Sequence, residues 1–156
     1  MTIKRTTLAI LTFALAVIST VIAAEEPGNK ITPEIKPQQD AALEEYDWGT
    51  FHRYYQQGET YGTKGVVVGV AVIKPGYETH PPHQHVEEEF LMVTEGQGTM
   101  YLKGQAVATK KGDLLYTSPW DLHGIKNTGT EPLTFVVFKW NNKGVALPAE
   151  PVQEKK

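Results

Sequence analysis

From residue 49 to residue 140 the chain is a succession of short β-prone runs cut by glycine and proline, and that rhythm limits the fold more than any other feature. Runs at 50–55, 66–73, 90–94, 99–102, 105–109, 114–117, 123–126 and 133–138 are rich in β-branched and aromatic residues. Between them lie Pro75-Gly76, Gly96-Gln97-Gly98, Lys103-Gly104, Gly112-Asp113 and Asn127-Thr128-Gly129, all turn formers. Short strands at such spacing build sandwiches or barrels, and no segment holds a helical period beyond two turns. The predicted fold is all-β: a small double-sheet jelly-roll barrel of six or more strands, with a mouth able to receive a ligand.

The flanks read differently. Residues 1–24 have the order of a secretory signal peptide: Lys4 and Arg5, an apolar stretch, then small residues ending at Ala23 and Ala24. The stretch, about 15 residues, is shorter than the ~20 a membrane span needs, which favours cleavage over an uncleaved anchor helix. Lys4-Arg5 is a weak match to a twin-arginine signal. The expected route is therefore unfolded export, with folding outside the cytoplasm. Without a lipid-attachment cysteine, the expected location is periplasmic or secreted, with no membrane contact after cleavage. Residues 25–48, with Pro27, Pro33 and Pro37, read as a flexible leader. A short helical turn is expected at 40–48, capped by Asp40, with Leu43 and Tyr46 facing the core. The barrel domain is expected at 49–140 and a polar tail at 141–156.

The 156 residues suffice for one domain with a real core. The absence of cysteine excludes disulfides, thiolate nucleophiles, zinc fingers and iron–sulfur clusters. A formal charge of −3, mixed along the chain, offers no basic stripe for nucleic acid.

Chemistry concentrates between residues 76 and 127. Four of the five histidines lie between 80 and 123. His83 and His85 are two apart, so on a strand both imidazoles project to one face. Glu89 follows four residues later, and His123 arrives from a distant hairpin. Imidazole and carboxylate are the usual nitrogen and oxygen ligands of divalent transition metals. Together they would hold one such ion, whether Fe, Mn, Zn, Ni or Cu, with positions left open for water or substrate. Taken singly, each fragment has a plainer reading: a lone histidine is usually a surface or satisfied core residue, and the triplet Glu87-Glu88-Glu89 would simply be solvated.

The two segments resemble the paired motifs of the cupin superfamily. Gly76, His83, His85, Glu89 and Gly96 follow its first motif with one extra residue after the first glycine. Gly112, Pro119, His123 and Asn127 follow its second. There, Asp121 stands where glycine is usual and His123 is one residue closer to the proline, so the loop before it is expected to have a different shape. The resemblance implies a jelly-roll barrel, a metal held by His83, His85, Glu89 and His123 (with Glu87 as the fallback acid), and a homodimer that exchanges N-terminal strands, for which residues 50–55 would serve. Tyr101, Tyr116 and Asp121 are the candidate substrate-pocket residues, though the reading of Asp121 as an Asx-turn residue is favoured. His80 is a possible fifth ligand, more plausibly a loop residue; His52 is expected to be structural. Phe135, Phe138 and Trp140 are expected in the core. The function implied is a metal-dependent enzyme acting on a small polar molecule (a hydroxy acid, sugar acid or phenolic) by dioxygenase, isomerase or lyase chemistry. The competing reading is an exported, non-catalytic protein that binds a small anion or sugar through its metal.

Overall fold

The computed structural model describes residues 29–152. The segment read as a signal peptide lies outside them. Among the described residues there are nine strands: β1 (Ala42–Tyr46), β2 (Gly49–Gly58), β3 (Thr63–Ile73), β4 (Glu88–Glu95), β5 (Gln97–Leu102), β6 (Gln105–Lys110), β7 (Leu114–Thr117), β8 (His123–Lys126) and β9 (Leu133–Asn142). They form an antiparallel six-stranded sheet in the order β1-β2-β3-β9-β4-β7 and a three-stranded sheet in the order β6-β5-β8. The expected all-β jelly-roll architecture is the one found. No helix among the described residues is long and apolar enough to cross a membrane.

Alternation along the strands builds the core. Ala71 and Ile73 of β3, Leu91 and Val93 of β4, Leu115 of β7 and Leu133, Phe135 and Val137 of β9 turn one way. Met100 of β5 and Ile125 of β8 meet them from the small sheet. The inner faces of the two sheets therefore share one apolar cluster, as a sandwich requires. Removing a fully buried side chain such as Leu133 would cost about 2–5 kcal/mol.

Turn chemistry sets the hairpins. Lys103 and Gly104, with φ of 52° and 79°, form the left-handed pair of a tight β5–β6 hairpin. Gly96, with φ of 76°, joins β4 to β5, where a Cβ would lie 2.4 Å from the Pro132 carbonyl oxygen. Asn127 closes the β8–β9 turn. Its side-chain amide donates to the Ile73 and Glu131 carbonyls, both at 2.8 Å, and its Oδ1 accepts from the Gly129 N–H at 2.9 Å.

Three expectations are corrected: the helical turn over 42–46, the burial of Leu43, and the burial of Phe138 and Trp140. Residues 42–46 form edge strand β1, paired residue for residue with β2, where a helical turn was expected; only Gln38–Asp40 makes a short 3-10 turn. Leu43 is exposed rather than core-facing. Phe138 and Trp140 lie on the opposite face of β9 from the buried Phe135, with Phe138 45% exposed and Trp140 stacked on Phe90. Residues 50–55 lie within β2, which pairs with β1 and β3 of the same chain.

Candidate metal centre and its cavity

His83 and His85 lie on the connection between β3 and β4, Glu89 is an inward residue of β4, and His123 opens β8. The connection is tied to β8 by main-chain bonds. His83 and His123 exchange two N–H to carbonyl bonds of 2.9 Å each. Gly124 permits this approach: a Cβ there would lie 3.2 Å from the Cα of Pro82. The His85 carbonyl accepts the Trp120 N–H at 2.7 Å, which clasps the loop before His123 against the same connection.

The three imidazoles converge. Ring centroids are separated by 4.7 Å (His83–His123), 4.8 Å (His85–His123) and 5.2 Å (His83–His85). One nitrogen from each ring lies within 4.8 Å of the others, so the three histidines could hold a metal ion. Glu89 places Oε1 3.2 Å from His123 Nε2 and Oε2 3.4 Å from His85 Nε2. The acidic triplet is divided by strand alternation. Glu89 faces inward. Glu88 faces outward, accepting from Tyr116 and Asn142. Glu87 sits behind His85, its carbonyl 3.1 Å from Nδ1.

Tautomers follow from the partners. His85 Nδ1 faces the Glu87 carbonyl and His123 Nδ1 faces the Asp121 carbonyl at 2.7 Å. An N–H donated to each carbonyl leaves both Nε2 lone pairs directed inward. His85 Nε2, His123 Nε2 and His83 Nδ1 are buried without a hydrogen-bond partner, since the contacts to Glu89 are close but lack hydrogen-bond geometry. Three orphaned nitrogens at one point would each cost about 1–3 kcal/mol, and a shared cation removes that cost. The residues therefore fit a metal ion.

The electrostatics divide the histidines. Burial pushes His83 down to about 4, helped by the neighbouring His80, His123 and His85, so its imidazole stays neutral. Burial also pushes His123 down, but the Glu89 carboxylate and the Asp121 carbonyl outweigh it and raise the group above its ordinary value. For Glu89, burial pushes the carboxyl up, and its contacts with His123 and His85 overcome this and hold it at about 2.

A cavity of about 320 Å³ opens onto this cluster. Its wall includes His80, His83, Glu89 and His123, together with Tyr46, Trp48, Phe51, Phe135, Arg53 and Lys139. Tyr46 and Trp48 stack at 4.8 Å with planes 10° apart. His80, exposed at the mouth, meets His83 edge-on at 4.0 Å and is outside the converging three.

The expected substrate-pocket residues do not line this cavity. Tyr101 has the opposite parity to the core residue Met100 on β5. Tyr116 has the opposite parity to Leu115 on β7, is 42% exposed, and donates to Glu88 at 2.9 Å. Asp121 is a turn residue, though not of an Asx turn: its N–H donates to the Ser118 carbonyl at 3.1 Å, its carboxylate accepts the Ser118 N–H at 3.2 Å, and it pairs with Lys103 at 3.1 Å. Only its main-chain carbonyl serves the centre, by orienting His123. Sequence reasoning missed Lys139. The signal was its parity with Leu133, Phe135 and Val137, which is visible once β9 is extended past residue 138.

Comparison with known proteins agrees with this geometry. Residues 69–139 match the Cupin domain family. A gentisate 1,2-dioxygenase from a Streptomyces species is 34% identical over 80 residues, a match spanning 51% of this chain but only 22% of that protein. Two solved structures are similar in fold. A predicted oxalate decarboxylase from Thermotoga maritima has a TM-score of 0.58 at 18% identity, over 69% of this chain and 98% of that one. A Cupin 2 conserved barrel domain protein from Salinispora arenicola has a TM-score of 0.55 at 21% identity, over 71% and 91%. The family match covers the barrel from β3 to β9, and the structural likenesses show the same jelly-roll fold.

Proposed function

We propose that the protein holds one divalent transition metal ion through His83, His85, His123 and Glu89, and is a metal-dependent enzyme acting on a small polar molecule such as a hydroxy acid, sugar acid or phenolic. The observation that carries this reading is the convergence of three buried ring nitrogens, none with a hydrogen-bond partner, beside a cavity whose wall includes His83 and His123. When bound, the metal would supply Lewis-acid polarisation of substrate oxygens, or redox chemistry if it is iron, manganese or copper. The chain's own residues do the rest. The carbonyls of Glu87 and Asp121 fix two imidazoles in the ligating tautomer. Glu89 supplies negative charge to the site, and the aromatic wall limits water. The 34% identity to a gentisate dioxygenase favours a hydroxylated acid among these substrates, through a match that covers only part of that enzyme.

A second reading, an exported protein that binds a small anion or sugar through its metal without turnover, draws on one observation. Tyr101, Tyr116 and Asp121 lie off the cavity wall, which leaves few candidate proton-transfer groups beside the proposed ligands. Under either reading, residues 1–24 direct export to the periplasm or beyond, and the chain forms a homodimer. Elemental analysis of protein purified from its exported compartment tests the metal: one equivalent is expected in the wild type and well under a tenth in His83→Ala, His85→Ala or His123→Ala. A metal-free wild type after loading with Fe, Mn, Zn, Ni and Cu in turn would reject it. Substrate recovered unchanged by metal-loaded protein would favour the binding reading.

A further inference from the structure

We propose that Lys139 makes the cavity a site for small organic carboxylates, with the acid group on the lysine ammonium and the apolar body of the ligand against the aromatic wall. The proposal deepens the metal reading above and rests on it for the orientation of the ligand. Lys139 continues the inward row of β9, and its Cα is the register partner of Glu89 on one side and Val67 on the other. It lines the cavity, and its charge is felt by His123.

Among the described residues, Lys139 has no ion pair within 4.0 Å and no side-chain hydrogen bond. The other cation in the wall is already engaged: Arg53 forks onto Glu44 at 2.6 and 2.7 Å. Glu89 is the one carboxylate among the lining residues, and it faces the imidazoles of His85 and His123. A divalent ion and Lys139 set against that single carboxylate leave the cavity positive. A half-buried cation with no partner is unfavourable until an anion completes it.

The rest of the wall narrows the class. Phe51, Leu91, Phe135 and Val137 and the stacked Tyr46 and Trp48 present apolar surface, which a bare inorganic anion cannot use. The volume, about 320 Å³, sits at the small end of the roughly 300–1,000 Å³ typical of ligand pockets.

The test uses Co(II)-loaded full-length protein titrated with salicylate, followed through the visible absorption of the bound cobalt. Lys139→Met should weaken salicylate at least tenfold while keeping the cobalt stoichiometry and the melting temperature. Lys139→Arg should restore binding to within about threefold of wild type. Neutral salicylamide should bind weakly and equally to all three. Equal salicylate affinity in wild type and Lys139→Met would overturn the proposal, as would sulfate binding as tightly as salicylate. If the chain takes up no cobalt, the metal reading fails separately, and the same titration is run on metal-free protein by tryptophan fluorescence. A Lys139-dependent loss there sustains the carboxylate site without the metal, and no salicylate binding in either form rejects it.

Discussion

Glu89 and His123 are buried to 7% and 1% exposure, and each sets the other's charge. Glu89 is depressed to about 2, so its contribution to stability is complete above the ordinary carboxylate range and is lost as pH falls through about 2. His123 is raised, so its contribution is complete below the ordinary histidine value of 6.5 and is lost as pH rises through its own higher value. In metal-free protein the pair is therefore at full strength between roughly pH 4.5 and 6.5. Glu89→Gln should destabilise the metal-free protein by about 1–3 kcal/mol in that window. The deficit should narrow as the pH rises through the raised His123 value, because the imidazole then loses its charge and with it the attraction to Glu89. Thermal melts at four pH values in the presence of chelator measure this, and a deficit that grows with pH would show that the two groups are not paired. His83, held down at about 4, stays neutral across the whole window and takes no part in the trend.

At the scale of elements, legibility followed how far each segment's pattern depends on its own burial. Strands β3, β4 and β9 carry buried apolar rows, and all three were read from sequence within a few residues of their ends. β1 was not, because nearly all of it is exposed; it is held by pairing to β2 and by the Glu44–Arg53 fork, neither of which leaves an apolar period. Tyr101 and Tyr116 were misplaced for a related reason: nearness in the chain to a ligand says nothing about parity, and parity decides which face of the sheet a side chain joins. The loop before His123, expected to differ from the family pattern, carries Trp120. This residue takes a φ of 67° and is held there by its N–H bond to His85 and by its indole N–H donated to the Pro148 carbonyl at 2.9 Å. A left-handed conformation costs a non-glycine residue about 1–2 kcal/mol. Trp120→Gly and Trp120→Ala both lose the indole bond, but only alanine retains the strain. The glycine variant should therefore be the more stable of the two by about 1 kcal/mol in urea unfolding. The reverse order would mean that the backbone at 120 relaxes once the indole is gone.

Over the whole molecule, the proposed centre lies where separate parts of the barrel meet: Glu89 comes from the large sheet, His123 from the small sheet, and His83 and His85 from the connection that crosses between them. That juxtaposition was legible as a set of candidate ligands, because the spacing of the histidines and the acid singles them out. The cavity beside them was not, because its wall draws on β1, β2, β3, β4, β8 and β9, and its aromatic and cationic residues are distant in the chain and carry no shared motif. A metal that binds only the folded state adds stability as RT ln(1 + [M]/Kd), about 2.7 kcal/mol when the free ion is at one hundred times Kd. The gain should not be uniform. The connection over residues 76–87 has few main-chain bonds besides those to β8, Tyr77 with Asn127 and His83 with His123, so its local opening sets the ligands apart. Metal loading should therefore slow amide hydrogen exchange at residues 82–87 and 120–124 by at least tenfold. β1 and residues 143–150, which touch no proposed ligand, should exchange at unchanged rates. Exchange measured by mass spectrometry on matched metal-free and loaded samples decides the matter. Slowing spread evenly over both sheets would mean that these amides exchange only through global unfolding. No slowing at 82–87 would mean that His83 and His85 do not hold the ion.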